Sequence, residues 1–103
     1  MLRYLIPFTL LAGGAAAQAQ QPMAGEGLRV ARQWCASCHV VSRDMPPPAT
    51  DAAPTFAGIA ARPTTTETSL RVFLQTPHAN MPNWQLSRAE LDVLVAHILS
   101  LGR

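Results

Sequence analysis

The 103-residue chain contains no lysine; its basic side is eight arginines, set against six Asp and Glu for a formal charge of +2. Charged residues make up 14% of it, well under the ~25% of an average soluble domain. So small and scattered a positive charge argues against a nucleic-acid binder. Only two cysteines are present, which rules out a scaffold held by several disulfides. No apolar run reaches the ~20 residues of a membrane-spanning helix, and no stretch alternates apolar and polar residues as a half-buried strand does. Aromatics are scarce too, at 6%. What the chain does have is 49% hydrophobic residues and nine prolines. That apolar content at low charge excludes disorder as the main state.

Part of this apolar content belongs to a segment that is expected to be removed. Met1–Tyr4 is short and carries Arg3, Leu5–Leu11 is an apolar run, and Ala17-Gln18-Ala19 is a small-x-small cleavage pattern. Together they read as a secretory signal peptide at residues 1–19. The domain is then residues 20–103, exported to the periplasm with no stable membrane insertion after cleavage. Those 84 residues lose Arg3 and the only Tyr, and the formal charge falls to +1. A domain of this size with two Phe and two Trp has a thin core and calls for a staple.

The two cysteines supply one. Trp34-Cys35-Ala36-Ser37-Cys38-His39 contains Cys-x-x-Cys-His, the attachment signature of c-type haem. Two thiols one helical turn apart can add to the two vinyl groups of one porphyrin, and the next residue projects an imidazole at the iron. Three other uses of the pair compete. A thioredoxin-like redox motif needs strands, which the pattern lacks. A zinc site needs four ligands, and only His78 and His97 remain, without paired spacing. A disulfide between i and i+3 closes a tiny loop and stabilises little.

The rest reads as helices around that motif. Glu26 to about Cys38 lacks Pro and has Leu28, Ala31 and Trp34 at helical spacing. Residues 41–53, with Pro46-Pro47-Pro48, read as loop. Pro54–Ala61 suits a short helix stopped by Pro63. Thr64-Thr65-Thr66-Glu67 fits a capping box opening a helix with Leu70, Phe73 and Leu74, ended by Pro77. Ser87-Arg88-Ala89-Glu90 is a second capping box, followed by Leu91, Leu94, Val95, Ile98 and Leu101, with Gly102 suited to the position after the C-cap.

Between the last two helices, Pro77-His78-Ala79-Asn80-Met81-Pro82 holds a Met on a stiff polar loop. Haem iron in cytochromes c takes His on one side and Met on the other. Met81 lies 42 residues after His39, ample for the chain to pass round a porphyrin, whereas Met45 lies only six residues after it. Met23 sits near the N-terminus of the domain. Met81 as a hydrophobic plug and His78 as the ligand are the competing assignments.

In the order and spacing of these motifs the chain resembles a small class I cytochrome c of the bacterial periplasmic type. The matching features are Gly27, Cys35-Ala36-Ser37-Cys38-His39, Ala53-Pro54-Thr55-Phe56, Pro77-His78-x-x-Met81-Pro82 and Leu86-Ser87-x-x-Glu90, spanning nearly all of residues 20–103. The resemblance implies an all-α cytochrome c fold, three to four helices wrapped round one covalently bound haem c per chain. The terminal helices would cross near Gly27, and one haem edge would stay exposed. It also implies that the backbone carbonyl of Pro54 accepts from Nδ1–H of His39. The cofactor-binding set is then Cys35, Cys38, His39, Pro54, Phe56, Met81 and Trp84, with His39 and Met81 on the iron. Trp34 is read as core packing, and Trp84 as covering the haem or donating its N–H to a propionate or carbonyl. Arg43 and Arg62 are both candidates to pair with a propionate. Two departures stand out: His97 occupies a position where the family usually has an aromatic ring, and the proline-rich insertion places Pro54 later than in compact relatives.

The expected function is electron transfer by a monomeric carrier cycling between ferric and ferrous, meeting redox proteins at the exposed haem edge, with no substrate chemistry of its own. Its rivals are a haem subunit of a periplasmic dehydrogenase or oxidase complex, a ligand-sensing haem module with a labile Met81, and a haem-free thiol redox protein.

Overall fold

The computed structural model describes residues 2, 4–9, 25–48 and 53–102. The cleavage pattern at residues 17–19 and Met23 lie outside the described residues, and the proline loop is described on both sides of residues 49–52. Four helices follow in order: α1 Glu26–Trp34, α2 Phe56–Ala61, α3 Glu67–Leu74 and α4 Arg88–Ser100. Among the described residues there is no strand, only a single bridge between His78 and Met81, and no helix is long and apolar enough to cross a membrane.

Local chemistry explains each boundary. Gly25 starts α1 at φ 91°, a left-handed conformation that glycine adopts without penalty. The helix stops at Trp34, four residues short of the expected Cys38. There the carbonyl of Ala31 accepts from both Cys35 N (2.8 Å) and Ala36 N (3.1 Å), which ends the regular ladder. A separate single turn follows, closed by His39 N donating to Cys35 O at 2.9 Å. The haem-attachment motif is therefore a turn of its own rather than the last turn of α1.

Helix α2 begins at Phe56, two residues after Pro54, because the Thr55 hydroxyl caps it by accepting from Gly58 N at 3.0 Å. It ends where Arg62, preceding Pro63, is forced into extended backbone at ψ 133°. For α3 the capping box is real but displaced. Thr66, not Thr64, accepts from Ser69 N (3.0 Å), and Ser69 Oγ accepts from Thr66 N (2.8 Å). Ser69 also donates to Thr64 O, so a hydroxyl does the work assigned to Glu67. The freed Glu67 pairs with Arg71 (3.2 Å), which reaches Asp92 of α4 at 2.7 Å. The Ser87/Glu90 box on α4 forms as the spacing predicts, with bonds of 3.0 and 3.1 Å.

Helix α4 is the spine, packed by α1, α2 and α3. Its buried Leu91, Leu94, Val95 and Ile98 meet Val30, Ala31, Val41, Phe56 and Leu70 in one core. Phe56 is the one aromatic residue among those buried side chains, so the core is as thin as the composition implies. Two glycines are explained by close approach. A methyl at Gly27 would run into the backbone carbonyl of Val93 and into Cβ of His97, so α1 and α4 cross where the resemblance places the crossing. Gly102 is not left-handed; a side chain there would press on the Ala60 backbone at 3.1 Å. Gly102 does stand at the expected position after the C-cap Leu101, with its N–H donating to Leu99 O at 3.2 Å, but it is the close approach of α4's end to α2, and not a left-handed φ, that calls for a glycine there.

Candidate functional site: a haem cavity

One side of the helical core opens into a cavity of about 610 Å³ with a mostly apolar wall, within the size range of small-molecule and cofactor sites. All seven residues singled out from the sequence line it: Cys35, Cys38, His39, Pro54, Phe56, Met81 and Trp84. They come from four places in the chain: the turn after α1, the entry to α2, α2 itself, and the loop between α3 and α4. The helical pattern assigns Leu70, Leu74 and Ile98 to the core; they line the cavity as well. A helical stripe signals burial without telling core from cofactor.

The imidazole of His39 is fixed on two sides. Its Nδ1 lies 2.6 Å from Pro54 O. A carbonyl only accepts, so Nδ1 carries a proton, and in the neutral ring Nε2 is the nitrogen with the lone pair. The ring also packs against Phe56, with centroids 5.3 Å apart. This is the outer hydrogen bond that orients a metal-ligating histidine, and the insertion before Pro54 does not disturb it. The next residue, Val40, accepts through its carbonyl from Phe56 N at 3.0 Å, which ties the motif to the start of α2.

Cys35 and Cys38 form no disulfide with each other. Burial pushes the Cys35 thiol up to about 11, which disfavours the thiolate that disulfide exchange would require of this residue. Among the described residues no three of His, Cys, Asp and Glu converge as a metal-binding group, which removes the support for zinc.

The loop facing this motif is a tight turn. Met81 N donates to His78 O at 3.4 Å, and Asn80 takes φ 64° at the turn's third residue, a position where Asn and Gly are favoured. Met81 lines the cavity. His78 lines the same cavity, but its imidazole is engaged with α3: its ring stacks on Phe73 at 3.7 Å, and Nε2 lies 3.2 Å from Phe73 O. Met45 is also engaged, its sulfur accepting from Val41 N at 3.5 Å.

Of the two arginine candidates, Arg43 donates to Leu101 O at 2.6 Å and so serves the end of α4. Arg62 lies at the cavity rim beside Thr64, Thr65 and Ser69. His97, the departure from the usual aromatic, has Nε2 at 2.7 Å from Val41 O. It is a packed imidazole that ties α4 to the segment after the haem motif.

No family model matches the chain, and no solved structure does. Cytochrome c-552 of Bradyrhizobium diazoefficiens is 44% identical to it over 78 residues, which covers 76% of this chain and 74% of that protein. The chain belongs to the c-type cytochromes. Its cofactor is covalently bound haem c, and the all-α fold is that of the family. As a c-type cytochrome it carries electrons, and its partners are redox proteins. The cavity fits the group by its own chemistry: apolar walls, two thiols one turn apart, and an imidazole whose far nitrogen is already occupied.

Proposed function

We propose that the chain is a periplasmic electron carrier whose single haem is held by Cys35 and Cys38 and ligated by His39 and Met81. The observation that carries this reading is the pairing of His39, locked through Nδ1 to Pro54 O at 2.6 Å, with Met81 in the wall of the same cavity. Bound haem supplies a one-electron ferric/ferrous couple. The chain's residues supply orientation, exclusion of water and control of access. Pro54 holds the His39 ring and raises the basicity of Nε2. Phe56, Leu70 and Ile98 keep the site dry. Arg62 would meet a propionate at the rim, the only carboxylates that the cofactor brings.

With His39 and Met81 both committed to holding the group, the chain would leave no place on it for a substrate, and catalysis on a substrate is not part of the function. Residues 1–19 act as the export signal, and the carrier works as a monomer. Partners meet it at the rim formed by the Cys35–Cys38 turn and the Met81 loop. The absence of lysine makes this docking apolar and short-range.

Carbon monoxide separates a carrier from a ligand-sensing module. The reduced protein is expected to keep its spectrum on mixing with the gas. A prompt shift of the Soret band at neutral pH would mean that the methionine is labile and the site is a sensor.

A further inference from the structure

We infer that Trp34 and Trp84 form a clamp that holds the Met81 loop against the end of α1 and thereby keeps Met81 on the iron. The inference rests on the reading of Met81 as an axial ligand and goes beyond it, naming the contact that sets how readily that ligand leaves.

The two indoles lie with centroids 4.8 Å apart and planes tilted by 40°, a favourable aromatic arrangement. Their positions in the chain give the contact its meaning. Trp34 is the last residue of α1 and the immediate neighbour of Cys35, so it is anchored next to a haem attachment point. Trp84 follows Met81 by three residues, a span of at most about 11 Å of extended chain. Between them, the pair joins the segment that is covalently fixed to the cofactor to the segment that bears the releasable ligand.

Other contacts restrict the loop less. The turn that presents Met81 is closed by a single long hydrogen bond of 3.4 Å. The segment from Met81 to Ser87 has no helix, and Leu86 N donating to Trp84 O at 3.1 Å is a bond within it. Both indoles also share a small cleft with Met81, Pro82, Leu86 and Leu94, so the pair sits where the Met81 loop meets α4. The Trp34 N–H is buried with no partner in good hydrogen-bond geometry. Trp84 is not among the residues of the helical core, so its removal opens the clamp without emptying the core.

The test uses the haem-loaded protein and imidazole as a competing ligand for ferric iron. The readout is loss of the methionine–iron charge-transfer band as imidazole is added. Trp84→Ala is expected to lower the half-displacement concentration by about tenfold, the scale of one aromatic pair plus its buried surface. Trp84→Phe restores most of the resistance, because a ring remains to stack. Val72→Ala, on the exposed face of α3, leaves it unchanged. A parent protein without the band overturns the Met81 reading and the clamp with it. A parent with the band, whose Trp84→Ala variant resists imidazole as the parent does, overturns the clamp alone.

Discussion

Gly27→Ala sets two physical effects against each other, and the structure decides the sign. In an exposed helix the change stabilises by about 1 kcal/mol, because alanine loses less backbone entropy and glycine is a poor helix former. Here the added methyl would overlap the carbonyl oxygen of Val93 and leave its carbonyl carbon 2.9 Å away, with Cβ of His97 on the other side. Carbon contacts are normally about 3.5–4.0 Å. A backbone carbonyl cannot swing aside as a side-chain tip does, so α1 and α4 must part. Overpacking of this kind costs roughly 1–3 kcal/mol, and backbone contact puts this site at the upper end. Set against the propensity gain, the net loss is about 2 kcal/mol. At roughly 4–8 °C per kcal/mol for a domain of this size, the melting temperature falls by about 8–16 °C. Thermal and urea unfolding of the haem-loaded protein, followed by far-UV circular dichroism, measure it. A variant as stable as the parent, or more so, refutes the claimed closeness of the crossing.

Three further outcomes follow from individual contacts. His97→Phe restores an aromatic ring but leaves Val41 O without its 2.7 Å partner; it should destabilise by about 1–3 kcal/mol in urea titrations, whereas a gain would mean that ring packing dominates. Glu90 is held below its ordinary 4.5 by hydrogen bonds from the Ser87 backbone and side chain. A depressed folded value contributes stability that is present above the unfolded value and lost as pH falls through the folded one; the parent should therefore lose stability on acidification below about 4.5, and Glu90→Gln should flatten that dependence. Second-order electron-transfer rates should vary little with ionic strength, since docking has no lysine ring to steer it; a steep fall with salt contradicts apolar docking.

The helices are legible in the sequence because each carries a local chemical signal. Ser87 and Glu90 close their box as spaced, and Pro63 stops α2 through its effect on Arg62. Spacing misleads where two residues of similar chemistry compete for one task. Thr64, Thr65 and Thr66 all qualify as caps, and only the fold shows that Ser69 answers Thr66. The pattern carries α1 too far because nothing in the local sequence reveals that Ala31 O is shared by two amides. Gly102 follows the C-cap of α4 as its spacing predicts, but the contact with Ala60 that excludes a side chain there is a long-range demand invisible to spacing. Motif alone finds Cys35, Cys38, His39 and Met81 in the cavity wall, since Cys-x-x-Cys-His and the Pro-flanked Met81 carry chemistry in their order. The cavity's α3 wall and the division of labour between Arg43 and Arg62 need three dimensions.

The central claim is that His39 and Met81 hold the iron from opposite sides, and the ferric absorption spectrum of the haem-loaded protein tests it most directly. The parent is expected to show the methionine–iron charge-transfer band, with Met45→Ala and His78→Ala retaining it and Met81→Ala losing it. Retention of the band in Met81→Ala, or its loss in Met45→Ala, would contradict the assignment of the ligand and the path of the chain around the cofactor.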